Sequence, residues 1–269
     1  MKPDWKVLIV APHPDDGEAL AHQICVQAVK AGNQVHQLLA TCDEYGTHND
    51  RFKGKRIQRI RRKEMFDAAK AYGVDDKGNA IVKVHWMNYI DCHVPFNAKS
   101  VKRFRNFIKK LKPSIIIGPD PFFEFDGHSD HIKTGWNYYF ALKGLKSTER
   151  PKLMLFFQTT KPNIFLPLKH MDIVKKARAA HKSQFSPIIL KLMNLMNIFF
   201  SIITSVKTGG RLTQGYRKLV FSIEKNEINS VIHKLLYYFI GKFGDEASLR
   251  TPPYPEEFGF ELEPKNDIL

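Results

Sequence analysis

The sequence predicts an α/β protein: a mostly parallel sheet between helical layers, Rossmann-like and three-layered, with its chemistry at the carboxyl ends of the strands. Two apolar runs without polar alternation, Val7-Leu8-Ile9-Val10 and Pro113-Ser114-Ile115-Ile116-Ile117-Gly118, suit strands covered on both faces. Helically spaced segments separate them from further apolar runs, the alternation that builds parallel sheets. The first run leads directly into Ala11-Pro12-His13-Pro14-Asp15-Asp16-Gly17-Glu18, and the fourth strand leads through a short loop to Gly127-His128-Ser129-Asp130-His131. Ligands of open α/β sheets collect outside such strand ends.

In chain order, Glu18 to Ala31 is expected to form one helix through Leu20, Ile24 and Ala28, stopping at Gly32. Val35 to Ala40 follows as a strand and closes a right-handed β-α-β unit. The polar loop from Thr41 to Gly54, with Asp43, Glu44 and His48, leaves the same sheet edge and is expected to line the pocket. Lys55 to Tyr72 has a helical pattern through Ile57, Ile60, Met65 and Ala68-Ala69, ending at Gly73. A third strand is predicted over Ile81 to Trp86, then a basic amphipathic helix over Val101 to Leu111. The loop from Pro119 to Gly127 is expected to wall the pocket; a helix follows from Ser129 to Leu145, strands at Leu153 to Gln158 and Asn163 to Leu166, and a helix from His170 to Lys182.

At 269 residues the chain is long enough for one large domain with an elaboration. The expected division is a core over 1–185 and a helical extension over 186–269 that holds an apolar segment and an extended tail. Ser186 to Val206 approaches the roughly 20 apolar residues a membrane span needs. Lys191, Asn194 and Asn197 recur every three residues and form a polar stripe, which favours an interfacial helix or a flap over a span. A core or oligomer-interface helix is the plain alternative. Val231 to Ile240 is a second apolar stretch, and the tail after Thr251 carries four prolines.

The net charge of +15 predicts attraction to anionic surfaces, with eight basic residues and no acid between Arg51 and Lys63 and a second cluster over Lys99 to Lys112. No nucleic-acid-binding pattern accompanies these clusters, so specific nucleic-acid recognition is not expected; an anionic membrane surface, a phosphorylated substrate or a plain solvated face all fit. Three scattered cysteines, Cys25, Cys42 and Cys92, give neither a disulfide framework nor paired zinc-ligand spacing. The N-terminus runs into the first strand without an apolar leader, so a cytoplasmic location, peripheral at the membrane, is the expectation.

His13 and Asp16 can offer one nitrogen and one oxygen to a zinc-like cation while Asp15 handles a proton, and Pro12 and Pro14 stiffen the turn that holds them. His-Pro-Asp-Asp followed by Glu18 resembles the signature of the LmbE-like/PIG-L superfamily of zinc-dependent N-deacetylases. Gly127-His128-Ser129-Asp130-His131 is similar to its second metal motif, and Lys176 with His181, Ser183 and Gln184 to its later helical motif. Arg61, Glu64 and Ala68-Ala69 before Tyr72-Gly73-Val74 resemble its helix after the second strand. The four signatures span roughly residues 6–185.

The resemblance and the spacing together imply His13, Asp16 and His131 as ligands of zinc, or of another divalent metal such as iron, with a position left for water. They imply Asp15 as the group that takes the water's proton, and His128 as acid or oxyanion stabiliser with Asp130 holding its ring and raising its pKa. Arg61 is expected to meet substrate hydroxyls or a phosphate, or else to form an exposed ion pair, and Asp91 is the substrate-binding acid. Glu18 and His181 stay outside the metal set. The implied reaction removes the N-acetyl group from an N-acetylglucosamine-type amino-sugar conjugate, with a lipid-linked remainder as one form. A same-fold amidohydrolase on a non-sugar amide and a basic binding protein with a vestigial site are the alternatives, and a homo-oligomer is compatible with both. Where the family usually has paired glycines, this chain has Ala19-Leu20-Ala21-His22, which leaves the start of the first helix open.

Overall fold

The computed structural model describes residues 4–123, 128–159 and 161–221. Gly127, the apolar stretch 231–240 and the tail after Thr251 lie outside them. The elements run β1 (Lys6–Ala11), α1 (Asp16–Leu20), α2 (His22–Lys30), β2 (Gln34–Thr41), α3 (Lys55–Ala71), β3 (Lys83–Tyr89), α4 (Ala98–Leu111), β4 (Ile115–Pro119), α5 (Ser129–Lys143), β5 (Leu153–Phe157), β6 (Ile164–Pro167), α6 (Met171–Ala180), α7 (Pro187–Ser205) and β7 (Thr213–Lys218).

They build one sheet of order β3-β2-β1-β4-β5-β7-β6, in which β3 through β5 are parallel and β7 is antiparallel to both its neighbours. The alternation along β1 explains the layers. Val7 and Ile9 face a core shared with α2, α3 and α6, while Leu8 and Val10 face one shared with α4 and α5. All four are fully buried, as a strand covered on both faces requires. The chain leaves β1 toward β2 on one side and takes up β4 on the other, so the crevice of an open α/β sheet opens above β1 and β4.

Three expectations change. The single helix expected from Glu18 to Ala31 is two helices, broken at Ala21 (φ −124°, ψ 20°). Distant side chains take over the hydrogen bonds at the break: Arg178 donates to the carbonyls of Glu18 and Ala19, and Gln214 accepts from Gln23 N while donating to Leu20 O. The Tyr216 hydroxyl accepts from Ile24 N. The first helix is thereby freed to follow the Pro12–Asp15 turn, and Gly17 lets it sit against Gln37 of β2. Second, β3 starts two residues later than expected and runs three further, because Ile81 N bonds to Gly73 O and residues 79–81 belong to the preceding turn. Third, the core does not end at 185: β7 is an inner strand of the sheet, and its period-2 signal is obscured by Gln214, Gly215 and Arg217.

The polar residues of β7 have definite partners. Arg217 meets the Asp120 carboxylate with two hydrogen bonds, Nε to Oδ2 at 2.9 Å and a terminal nitrogen to Oδ1 at 2.6 Å, and lies over the Phe156 ring. Both residues are buried, so the pair ties β7 to the end of β4. Arg217→Ala leaves the Asp120 carboxylate buried without its guanidinium and is expected to lower the unfolding free energy by about 3–5 kcal/mol in urea titrations. Asp120→Asn combined with Arg217→Met is expected to recover part of that loss.

Candidate metal centre and active site

The crevice holds a cleft of about 570 Å³ lined by His13, Asp15, Asp16, Asp91 and His128, by residues 43 and 45–49 of the loop after β2, and by Ser183 and Gln184. The Thr41 to Gly54 loop is thus a wall, as the sequence suggests. Of the Pro119 to Gly127 loop, residues 124–127 are outside the described residues and the rest turns away: Phe122 packs on Trp136, Tyr139 and Phe156.

At the floor, His13 N donates to Asp16 Oδ2 (2.9 Å), which fixes the turn after β1 and brings the two side chains together. His13 Nδ1 lies 3.4 Å from Asp16 Oδ2, and Asp16 Oδ1 lies 3.5 Å from His131 Nε2. One donor atom each from His13, Asp16 and His131 falls within 4.8 Å of the others; His13, Asp91 and His128 form a second such group. The outer ring nitrogens separate the two. With Asp16 and His131 as co-ligands, His13 turns its Nε2 to Asp91 Oδ1 (3.1 Å) and His131 turns its Nδ1 to Gln158 Oε1 (3.1 Å). An acceptor on the far nitrogen of each histidine is what holds metal-bound imidazoles in place. Two nitrogens and one carboxylate oxygen, largely buried, fit a divalent cation with room for further ligands.

The surroundings are strongly electronegative. Asp91 is buried and accepts from Tyr45 N and Cys92 N, while Asp130, fully buried, accepts from Cys92 N and Val94 N and lies 3.5 Å from His13 Nε2. Burial by itself would lower the His13 pKa, yet hydrogen bonds to Asp130, Asp16 and Asp91 together hold it well above the usual histidine value. Burial would raise Asp16, but the charges of His131 and His13 bring it far below the usual carboxylate range. The site as a whole favours positive charge. For His128, burial and then repulsion from His13 and His131 lower the pKa, outweighing the opposite pull of Asp130 and Asp91. The expected rise is therefore reversed. His128 Nδ1 receives the backbone N–H of Asp130 as the N-cap of α5, and the Asp130 carboxylate is directed to the Cys92–Val94 backbone and to His13.

Arg61 departs most from the sequence expectation. It is fully buried, neither an exposed ion pair nor part of the cleft wall. Its guanidinium bonds Asp15 Oδ2 at 2.9 Å and Asp43 Oδ2 at 2.5 Å, so it reaches the chemistry by holding Asp15. Glu64, three residues on, accepts from Ser183 N and Oγ and anchors the cleft loop that follows α6. His181 and Glu18 are fully buried and 3.5 Å apart beneath that loop, and Gln37 donates to the other Glu18 oxygen. Gln158 gave no specific signal of a role, and Asp43 gave only its place in the loop expected to line the pocket. Gln158 could have been found as the residue just beyond a parallel strand next to β4, held at positive φ (54°).

Residues 8–138 match the PIG-L family, described as GlcNAc-PI de-N-acetylase. The match spans a little under half of the chain. A diacetylchitobiose deacetylase of Thermococcus kodakarensis is 26% identical over 226 residues, 79% of this chain and 82% of that protein. The N,N'-diacetylchitobiose deacetylase of Pyrococcus horikoshii, solved with an inhibitor, superposes with a TM-score of 0.69 at 25% identity, covering 80% of this chain and 83% of that one. The 4-carboxy-2-hydroxymuconate hydratase of Pseudomonas putida shares the fold (TM-score 0.63, 14% identity, 84% of this chain and all of that one). The Thermococcus and Pyrococcus relatives are both deacetylases by name, and the described residues of this chain include two His/Asp groups that could hold a cation.

Two predictions follow from the geometry. Asp16→Ala and His131→Ala are expected to lose the cation by elemental analysis after dialysis, while His128→Ala keeps it at one per chain; the reverse pattern would assign the group with Asp91 and His128. Separately, burial and then the neighbouring Asp91 push Glu44 from its ordinary 4.5 up to about 7. Between these values the native side chain keeps a proton that the unfolded chain has lost, so its contribution to stability is lost as pH rises through this window. Glu44→Gln is expected to flatten the pH dependence of the urea midpoint there.

Proposed function

We propose that the protein removes the N-acetyl group from an N-acetylglucosamine-type amino-sugar conjugate, with zinc held by His13, Asp16 and His131. The observation that carries this reading is Asp15: it opens onto the cleft beside the ligand set, with one carboxylate oxygen fixed by a buried arginine. When bound, zinc acidifies water and polarises an amide carbonyl. Asp15 accepts the proton from the attacking water, and the Arg61 clamp keeps the carboxylate turned to the cleft through the reaction. The tetrahedral carbon then releases an amine, which must be protonated as it leaves; Asp15 returns the proton it took, or His128, which also lines the cleft, supplies one. Asp91 and Asp130 hold His13 and do not move protons themselves. The polar loop 45–49, with Ser183 and Gln184, supplies hydrogen-bonding groups suited to sugar hydroxyls.

Hydrolysis is favoured over the hydration performed by the same fold elsewhere because the sequence and structural relatives with the higher identities are deacetylases. The basic stretch from Arg51 to Lys63 begins beside the cleft wall and suits a conjugate whose remainder is anionic or lipid-linked. Acetate release from N-acetylglucosamine conjugates, one of them lipid-linked, is the test. Release by zinc-loaded protein is expected, greatest for the lipid-linked member, and Asp15→Ala is expected to lower it about 10²–10⁴-fold without losing the metal. Metal-loaded protein that releases no acetate from any of them, but cleaves a non-sugar amide, would replace the sugar reading.

A further inference from the structure

Helix α7 is turned inside out. Its outward stripe is Ile188, Leu192, Leu195, Phe199, Ile202 and Val206, spaced by four and three residues and 45–87% exposed. Its polar residues turn the other way. Ser201 is buried and bonds the Asn197 carbonyl, Asn194 carries a buried side-chain oxygen, and Thr204 bonds Thr213 of β7. Of the polar stripe seen in the sequence Asn194 turns toward the protein and Lys191 does not, and the face left for the surroundings is mainly apolar along a helix about 28 Å long. Lys191 is exposed within it.

We propose that this face is an in-plane docking surface for an anionic lipid bilayer. Charge selects the partner: from residue 173 to 221 the chain has no aspartate or glutamate, and seven of its nine lysines and arginines are exposed, all but the buried Arg178 and Arg217. Lys182, Lys191, Lys207 and Arg211 are exposed along and beside α7, where their aliphatic stems lie on the apolar surface while the charges meet lipid headgroups. The helix lies along the surface and does not cross it, although it is long and apolar enough to do so. One side is held to β7 by Thr204, and its first turn, capped by Ser186, follows the Ser183–Gln184 loop that Glu64 anchors at the cleft. Lifting the helix into a span would strip both attachments. The same connection sets the cleft wall beside the docked face, within reach of a headgroup-bearing substrate. The docking itself is independent of the deacetylase reading, because vesicle binding is measured without substrate.

The full-length protein is sedimented with phosphatidylcholine vesicles and with vesicles also containing phosphatidylglycerol. Binding to the anionic vesicles is expected, weakened between about 0.1 and about 0.5 M salt. The Leu195→Glu/Phe199→Glu variant is expected to lose about tenfold or more in partitioning, with acetate release from a soluble conjugate and the urea midpoint unchanged. Tryptophan fluorescence of Ile202→Trp is expected to shift to the blue on vesicle addition and to be quenched by brominated lipid. Absence of vesicle binding at low salt, or equal binding by the glutamate variant, overturns the proposal. A doubled solution mass that reverts in the glutamate variant, without vesicle binding, assigns the face to a second copy instead.

Discussion

The structure depends on burying negative charge at one sheet edge. Asp16, Asp91 and Asp130 converge on His13 with at most 7% exposure, and such carboxylates persist only when hydrogen-bonded and paired with positive charge. The backbone is shaped to that end: the N–H groups of His13, Tyr45, Cys92 and Val94 are all directed at carboxylate oxygens. Arg61 balances Asp15 and Asp43 one step away. On the proposed reading a divalent cation between His13, Asp16 and His131 would complete the same balance, so that the feature that shapes the loops would also prepare the chemistry.

A second polar layer transmits this arrangement to the periphery. Glu18 is held by Gln37 and His181, Arg178 takes the last carbonyls of α1, and Glu64 secures Ser183. Segments far apart in the chain thereby reach the short turn that carries His13 to Asp16. Of the later helical motif, His181 is fully buried beside Glu18, while Ser183 and Gln184 line the cleft.

The parallel half of the fold was legible because continuous apolar runs and helical spacing are local signals: Val7–Val10 and Ile115–Ile117 needed no tertiary information. The break at Ala21 was not, since its hydrogen bonds go to Arg178, Gln214 and Tyr216, more than 150 residues away. Strand β7 escaped for the same reason, its polar residues serving as caps and ion-pair partners. At the site, the residue types of His13, Asp15, Asp16 and His131 and their places at strand ends could be read in advance. The direction of Arg61 could not, because a charge on an amphipathic helix reads the same whether it faces solvent or a buried carboxylate. Nor could the direction of the polar stripe on α7, which periodicity reports without saying which side the protein occupies.

The central claim is that one divalent cation sits between His13, Asp16 and His131 with Asp91 behind His13. An anomalous difference map at the zinc absorption edge, from crystals of the zinc-loaded protein, tests it directly. The account predicts one strong peak about 2.0–2.2 Å from His13 Nδ1, an Asp16 oxygen and His131 Nε2, with Asp91 still bonded to His13 Nε2. A peak between Asp91 and His128, or none in the cleft, would contradict it.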